Sequence, residues 1–167
     1  LAETTLTGLR GFAALAVLFY HIRGGMTGFL PAQAVSALGQ GYLAVDLFFV
    51  LSGFVLWWTY GAEFRDRGVR AAPHFIVRRL GRIFPLHLAI LSAMVLFAAA
   101  LHVSGRDPGE HYGFAELPAH YLLVQNWGVG DRLSWNDPAW SISTEWAAYL
   151  LLAITGGWLT RLPRGGW

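Results

Sequence analysis

GQGYLAVDLFFVLSGFVLWWTY, Gly39 to Tyr60, is the stretch on which the fold turns. It is apolar over about the twenty residues a helix needs to cross a hydrocarbon layer. One charge interrupts it: Asp46 sits seven residues in, with Leu47-Phe48-Phe49-Val50-Leu51 following. A carboxylate there must be paired or protonated. Gly53, seven positions on, falls on the same helical face and offers room for close helix packing. Asp46 therefore reads either as a helix–helix contact or as the group that orients Arg10 or His21. Outward from this segment, three more stretches are long and apolar enough to span: about Thr5 to Arg23, Ile83 to Val103 and Ala139 to Leu159. A fifth, Leu117 to Gly130, is short for a crossing; it reads as re-entrant or interfacial, with the question of whether it crosses left open. The expected fold is all-α, a polytopic transmembrane helix bundle with four to five spans in this chain.

Composition agrees. Charged residues are 13% of the 167 and apolar residues 55%, against about 25% charged in ordinary soluble domains. Eight Trp and eleven Phe suit membrane–water boundaries. The absence of cysteine removes disulfides and thiolate metal sites. A net charge of +2 gives no reason to expect nucleic acid. Every one of the 12 basic residues is Arg, so lysine Schiff-base chemistry is excluded from this stretch. Gly24–Gly25, Pro31, Pro73, Pro108–Gly109 and Pro138 punctuate the spaces between spans, as turns should. The first segment has the charged start and apolar run of a signal peptide but no clean cleavage site, and is read as a retained span. With no initiating Met and an abrupt end at RLPRGGW, the chain is expected to be the N-terminal part of a longer membrane protein.

Arg65, Arg67, Arg70, Arg78, Arg79 and Arg82 all lie between the second and third spans. The positive-inside rule places that segment, and with it the N-terminus, in the cytoplasm. SGRDPGEHYGFAE then faces outward.

In LTGLRGFAALAVLFYHIRG, Leu6 to Gly24, Arg10 and His21 are eleven residues apart. That is about 20° beyond three helical turns, so the two share a face, yet about 16 Å of axis separates them. They cannot bond each other; one extended substrate could touch both. Membrane-boundary anchoring accounts for the pair equally well on spacing alone. Arg79 and Arg82, in RRLGRIFP, are one helical face apart in register. Two guanidiniums suit phosphate or pyrophosphate, although headgroup anchoring is the commoner use of such a pair. NDPAWSISTEWAAYLL brings Asn136, Trp140, Ser141, Ser143 and Glu145 to the head of the last span. No nucleophile elbow surrounds either serine, and capping the helix start is the expected task for one of them. His74, His87, His102, His111 and His120 lack metal-ligand spacing with carboxylates, and read as interfacial or loop residues. No metal site is expected.

In sequence these motifs resemble the acyltransferase-3 family of polytopic membrane acyltransferases. LRGFAALAVLFYH is similar to the family's first helix, with Arg10 and His21 at its Arg and His. GYLAVDLFFVLSGFVL looks like its second helix and carries Asp46. RRLGRIFPLHL looks like its Arg-x-x-Arg stretch, and WSISTEW resembles its Trp-Ser-x-Ser-x-Glu block. Trp146, Ala147 and Ala148 depart from the polar residues that often follow that glutamate. The resemblance implies a domain of about ten helices in the bacterial inner membrane, of which this chain is the N-terminal half, inactive alone. It implies transfer of an acyl group, commonly acetyl, from acyl-CoA on the cytoplasmic side to a hydroxyl of a cell-surface carbohydrate or related acceptor outside. Acyl-CoA is the donor substrate and no tightly bound cofactor is implied. His21 would take the hydroxyl proton, as a histidine titrating near neutrality can. Asp46, or a residue beyond this chain, would hold its tautomer. Arg10, Arg79 and Arg82 would contact the donor, and Glu145 would be a polar anchor or packing residue. A proton-coupled transporter would also place Asp, His and Arg in spans, and would lose solute uptake in His21→Ala while showing no acyl transfer. A non-catalytic membrane scaffold, the third class, would tolerate His21→Ala, Arg10→Ala and Arg82→Ala with no loss beyond stability.

Overall fold

A computed structural model describes residues 2–129 and 134–161; within its first helix, nothing is said of the side chains of residues 2–5 and 7. The described residues are helical, with no strand beyond one isolated bridge between Thr27 and Leu30. The helices are α1 Ala2–Ile22, α2 Ala32–Gly39, α3 Leu43–Arg67, α4 Ala72–Val103, α5 Leu117–Tyr121 and α6 Ala139–Leu159. Two compact units divide the chain between Thr59 and Tyr60.

The four expected long segments are all helices, but their limits differ. α3 carries on through Arg65 and Arg67, and α4 starts at Ala72, well before Ile83. The arginine-rich segment is therefore not an open loop. It is two helix ends joined by the single 3₁₀ turn Gly68–Ala71. Gly68 has φ +58°, the left-handed conformation that ends a helix cheaply only at glycine. Arg65 and Arg67 in the last turn of α3 complement the negative end of its dipole, and Arg67 pairs with Glu63 at 3.0 Å. Pro73, in the first turn of α4, gives up an N–H that has no partner there anyway.

By length and composition, one helical run among the described residues, Ala32–Val103, is long and apolar enough to cross a membrane; its best window has a mean hydropathy of 2.2 and is only 17% buried. A four- or five-span bundle is not established by that measure. α6 carries Ser141, Ser143, Thr144 and Glu145 in its first two turns, polar side chains that lower its hydropathy relative to that run.

In the first unit, α1 packs on the turn Gln40–Tyr42. Gly41 makes this possible: a Cβ there would collide with the Ala16 carbonyl and reach within 3.0 Å of Tyr20 Cβ. Ala13 is buried on the same helix, and Tyr20 meets Tyr42 edge-on at 6.3 Å. Gly53 does not serve close packing, since a Cβ there would meet nothing within 4 Å among the described atoms.

In the second unit, α4 and α6 run antiparallel. Phe75 faces Tyr149 at 5.9 Å and Phe84 faces Trp146 at 5.8 Å, so contacts move back along α6 as they advance along α4. At one end Gly156 lies under the Phe64 ring and Gly157 against the Gly68 backbone. At the other, Leu91, Ala98 and Trp135 form a buried cluster with Met94, Val95, Tyr112, Leu117 and Tyr121 around it. Residues 104–129 and 134–137 thus fold over one end of the α4–α6 pair.

Candidate active site

Each unit carries its own group of candidate residues. On α1, Arg10 is half-buried and His21 exposed. The His21 Nδ1–H donates to the Val17 carbonyl one turn back, at 2.8 Å. That bond selects the tautomer whose Nε2 lone pair is free to take a proton. The Nδ1–H of His21 is thus satisfied within α1 by the Val17 carbonyl. Asp46, also exposed, forms no hydrogen bond or ion pair with His21 or Arg10 among the described residues, so the structure does not bring it to either.

On the second unit, Arg79 and Glu145 come together through two tyrosines. Arg79 Nη2 donates to the Tyr60 hydroxyl at 2.9 Å, and its guanidinium carbon stands 5.2 Å from the Tyr60 ring centroid and 5.8 Å from that of Tyr149. The Tyr149 hydroxyl in turn donates to Glu145 Oε1. Phe75 braces both tyrosines edge-on, at 5.0 Å and 5.9 Å. Arg79 Nε is buried without a partner. Arg82, one turn on, is exposed. The two arginines share a helix, as their spacing requires, but only Arg79 is built into the fold.

The Trp-Ser-x-Ser block is a staple more than a cap. Pro138 occupies the N-cap of α6 with no side-chain bond to the helix. Ser141 Oγ donates back to the Pro138 carbonyl at 3.0 Å. Ser143 is fully buried; its Oγ donates to the Leu123 carbonyl at 2.8 Å and accepts the Asn126 N–H at 3.3 Å. Trp127 Nε1 donates to the Ser143 carbonyl at 3.1 Å, and Asn126 Nδ2 to Thr144 Oγ1 at 2.8 Å. The expectation that a serine caps the helix start is thus replaced: the hydroxyls fasten residues 123–127 to α6. Asn136 and Trp140 are half-buried beside them.

A second polar centre went unread in the sequence. His87 and His120, expected in interfacial or loop positions, are 2% and 3% exposed. His87 Nε2–H donates to the His120 carbonyl at 2.8 Å. His120 Nε2 lies 2.9 Å from Ser134 Oγ, and that hydroxyl donates to Glu116 Oε2, so the imidazole is the donor to Oγ. Both Nδ1 atoms are left buried and without a partner. Burial pushes the His120 pKa below its ordinary 6.5, with Glu116 opposing and His87 assisting. Alongside, Trp135 sits at φ +55° and Leu123 at φ +57°, backbone that β-carbon-bearing residues rarely adopt. Trp135 is held there by His111: its N–H donates to the His111 carbonyl at 3.0 Å, and His111 Nε2–H donates to its carbonyl at 2.9 Å. Trp135 Nε1 adds a bond to the Gly113 carbonyl at 3.0 Å.

The described residues thus present a free imidazole nitrogen on His21, a guanidinium caged by two tyrosines at Arg79, and a Trp-Ser-x-Ser-x-Glu block at the head of α6. The acyltransferase domain of the acyltransferase-3 type matches residues 4–167, and the chain belongs to that family. It is 35% identical over 167 residues to acyltransferase MdmB of Streptomyces mycarofaciens, covering 95% of this chain and 40% of that protein. It is 35% identical over 156 residues to protein 2 in the picA locus of Rhizobium radiobacter, covering 84% and 75%. A shorter match, 34% over 96 residues, links it to "Putative O-acetyltransferase SACOL0978" of Staphylococcus aureus, covering 58% of this chain and 14% of that protein. This chain therefore spans well under half of MdmB. No solved structure matches it.

Proposed function

We propose that this chain is the N-terminal part of an integral membrane acyltransferase. It would move an acyl group, acetyl in the simplest case, from acyl-CoA to a hydroxyl of a cell-surface carbohydrate or related acceptor. The observation that carries the reading is the His21–Val17 bond, which leaves Nε2 as a ready base. The acceptor oxygen attacks the thioester carbonyl carbon while its proton passes to His21 Nε2. The carbon–sulfur bond then breaks, and the imidazolium returns the proton to the departing thiolate. Arg10, on the same face of α1 and about 16 Å along it, is matched to the length of an extended pantetheine arm. Arg79 and Arg82 are the donor-side cations. The buried, unpaired Nε–H of Arg79 fits a phosphate-bearing substrate. Family membership favours transfer over the transporter reading.

The membrane setting is supported by what the fold leaves exposed. Val50, Trp58, Leu86, Leu96, Leu151 and Ile154 are each more than 60% exposed, an apolar display that lipid, not water, accommodates. α5 is five residues long, too short to cross, so residues 104–129 and 134–137 are read as lying on a single side. With the arginine-rich turn cytoplasmic, that side is the outer one.

The test is His21→Ala in the full-length protein, with labelled acetyl transfer measured in membranes. Loss of a general base costs about 10²- to 10⁴-fold, with the protein still accumulating in the membrane. Undiminished acetylation would overturn the assignment.

A further inference from the structure

Arg79 is held by aromatic groups where a carboxylate would be the ordinary partner. A guanidinium withdrawn from water is normally neutralised by an acidic side chain. Here no carboxylate among the described residues lies within ion-pair distance of it. Arg79 donates to the neutral phenol of Tyr60 at 2.9 Å, and the ring centroids of Tyr60 and Tyr149 lie 5.2 Å and 5.8 Å from its guanidinium carbon. Glu145, the nearest acid in the network, is occupied by the Tyr149 hydroxyl. Nε–H remains buried and unused. Rings attract a cation without cancelling its charge, so this cage fixes the guanidinium while leaving it both positive and in possession of a spare donor.

We infer that Tyr60 and Tyr149 are positioning residues that hold Arg79 un-neutralised as a preformed anion site. Tyr60 does this through its hydroxyl, and Tyr149 through a ring whose orientation Glu145 fixes. The inference rests on the reading of Arg79 as a contact to the acyl donor, and adds that the donor's phosphates find the arginine already oriented. Neither tyrosine touches substrate. Their work is to avoid the ordering cost that a flexible arginine would incur on binding. Glu145 accordingly acts at one remove from the donor, by setting the Tyr149 ring.

The experiment uses the full-length protein in detergent, with coenzyme A as the probe and pantetheine, which lacks the phosphates, as the control. Tyr60→Phe keeps the ring and its packing on Phe75 but deletes the bond to Nη2. Coenzyme A affinity is expected to fall about tenfold, the factor that one hydrogen bond to a charged group commands. Pantetheine affinity and the unliganded melting midpoint should stay as in the unaltered protein, which a purely structural tyrosine would not allow. Should Tyr60→Phe not accumulate, Tyr149→Phe tests the same cage through the Glu145 anchor, with the same expected pattern. Coenzyme A binding unchanged in Tyr60→Phe but lost in Arg79→Ala overturns the positioning role and leaves the donor reading standing. Coenzyme A binding unchanged in Arg79→Ala removes the donor reading, and this inference with it.

Discussion

At the scale of single residues, the informative feature is which hydrogen of each imidazole is committed. His21 spends Nδ1–H on Val17 and keeps Nε2 open. His120 spends Nε2–H on Ser134 and keeps a buried Nδ1. The first is accessible to a substrate; the second is packed at 3% exposure and serves the fold. His120 also makes stability depend on pH. Its folded pKa lies below the unfolded 6.5, so the unfolded chain takes up the proton first. Stability is complete above about 6.5 and is lost as pH falls through the lower folded value. The melting midpoint should decline on acidification from pH 7.5 to 5, and His120→Asn should flatten that decline. A midpoint equally pH-dependent in the two proteins would contradict it. His21 and Arg10 were legible because their spacing is local to one helix. The His87–His120 pair was not: 33 residues separate the two, and their partners are a carbonyl and a hydroxyl, which leave no pattern in sequence.

Among elements, α6 shows both what pattern reveals and what it hides. Its apolar run and its Glu145–Tyr149 pair at i, i+4 follow from helical periodicity. The serine that caps nothing and instead fastens residues 123–127 does not, because its partners are twenty residues upstream. The glycine reading failed for a related reason. Gly53 shares a face with Asp46 yet faces open space, whereas the pair in ITGGWL, Gly156–Gly157, is where helix meets backbone. A Cβ at Gly157 would stand 3.0 Å from Gly68 Cα and from the carbonyl carbon beside it, and one at Gly156 2.8 Å from the Phe64 ring. Gly157→Ala must push against main chain that cannot rotate away, and should cost about 1–3 kcal/mol, read as a lowered thermal midpoint of the solubilised protein. Gly53→Ala should leave that midpoint unchanged or slightly raised, since alanine is the better helix former.

For the molecule as a whole, the absence of cysteine from this chain makes the proposed topology directly measurable. Cysteine placed at Asp107, in the exposed segment after α4, should react with a membrane-impermeant maleimide added to intact cells. Cysteine at Arg70, in the turn between α3 and α4, should react only after permeabilisation. Label at Arg70 in intact cells, with none at Asp107, would invert the orientation drawn from the arginines. Helix content, helix order and the family motifs were readable because each is written in short-range pattern. The tyrosine cage around Arg79 was not, because Tyr60 and Tyr149 reach it from two other helices, and nothing in their flanking residues announces a shared destination.

The close approach of Gly157 to Gly68 also bears on how the protein can be handled. A four-residue turn pinned under a neighbouring helix has no slack, so a tag or reporter domain inserted between Arg67 and Ala72 would pry α6 off its seat. The stretch from Gly105 to Gly109, whose two glycines already sit at φ +75° and +83° with nothing near their Cβ positions, is the place where added chain can leave without disturbing what lies beneath.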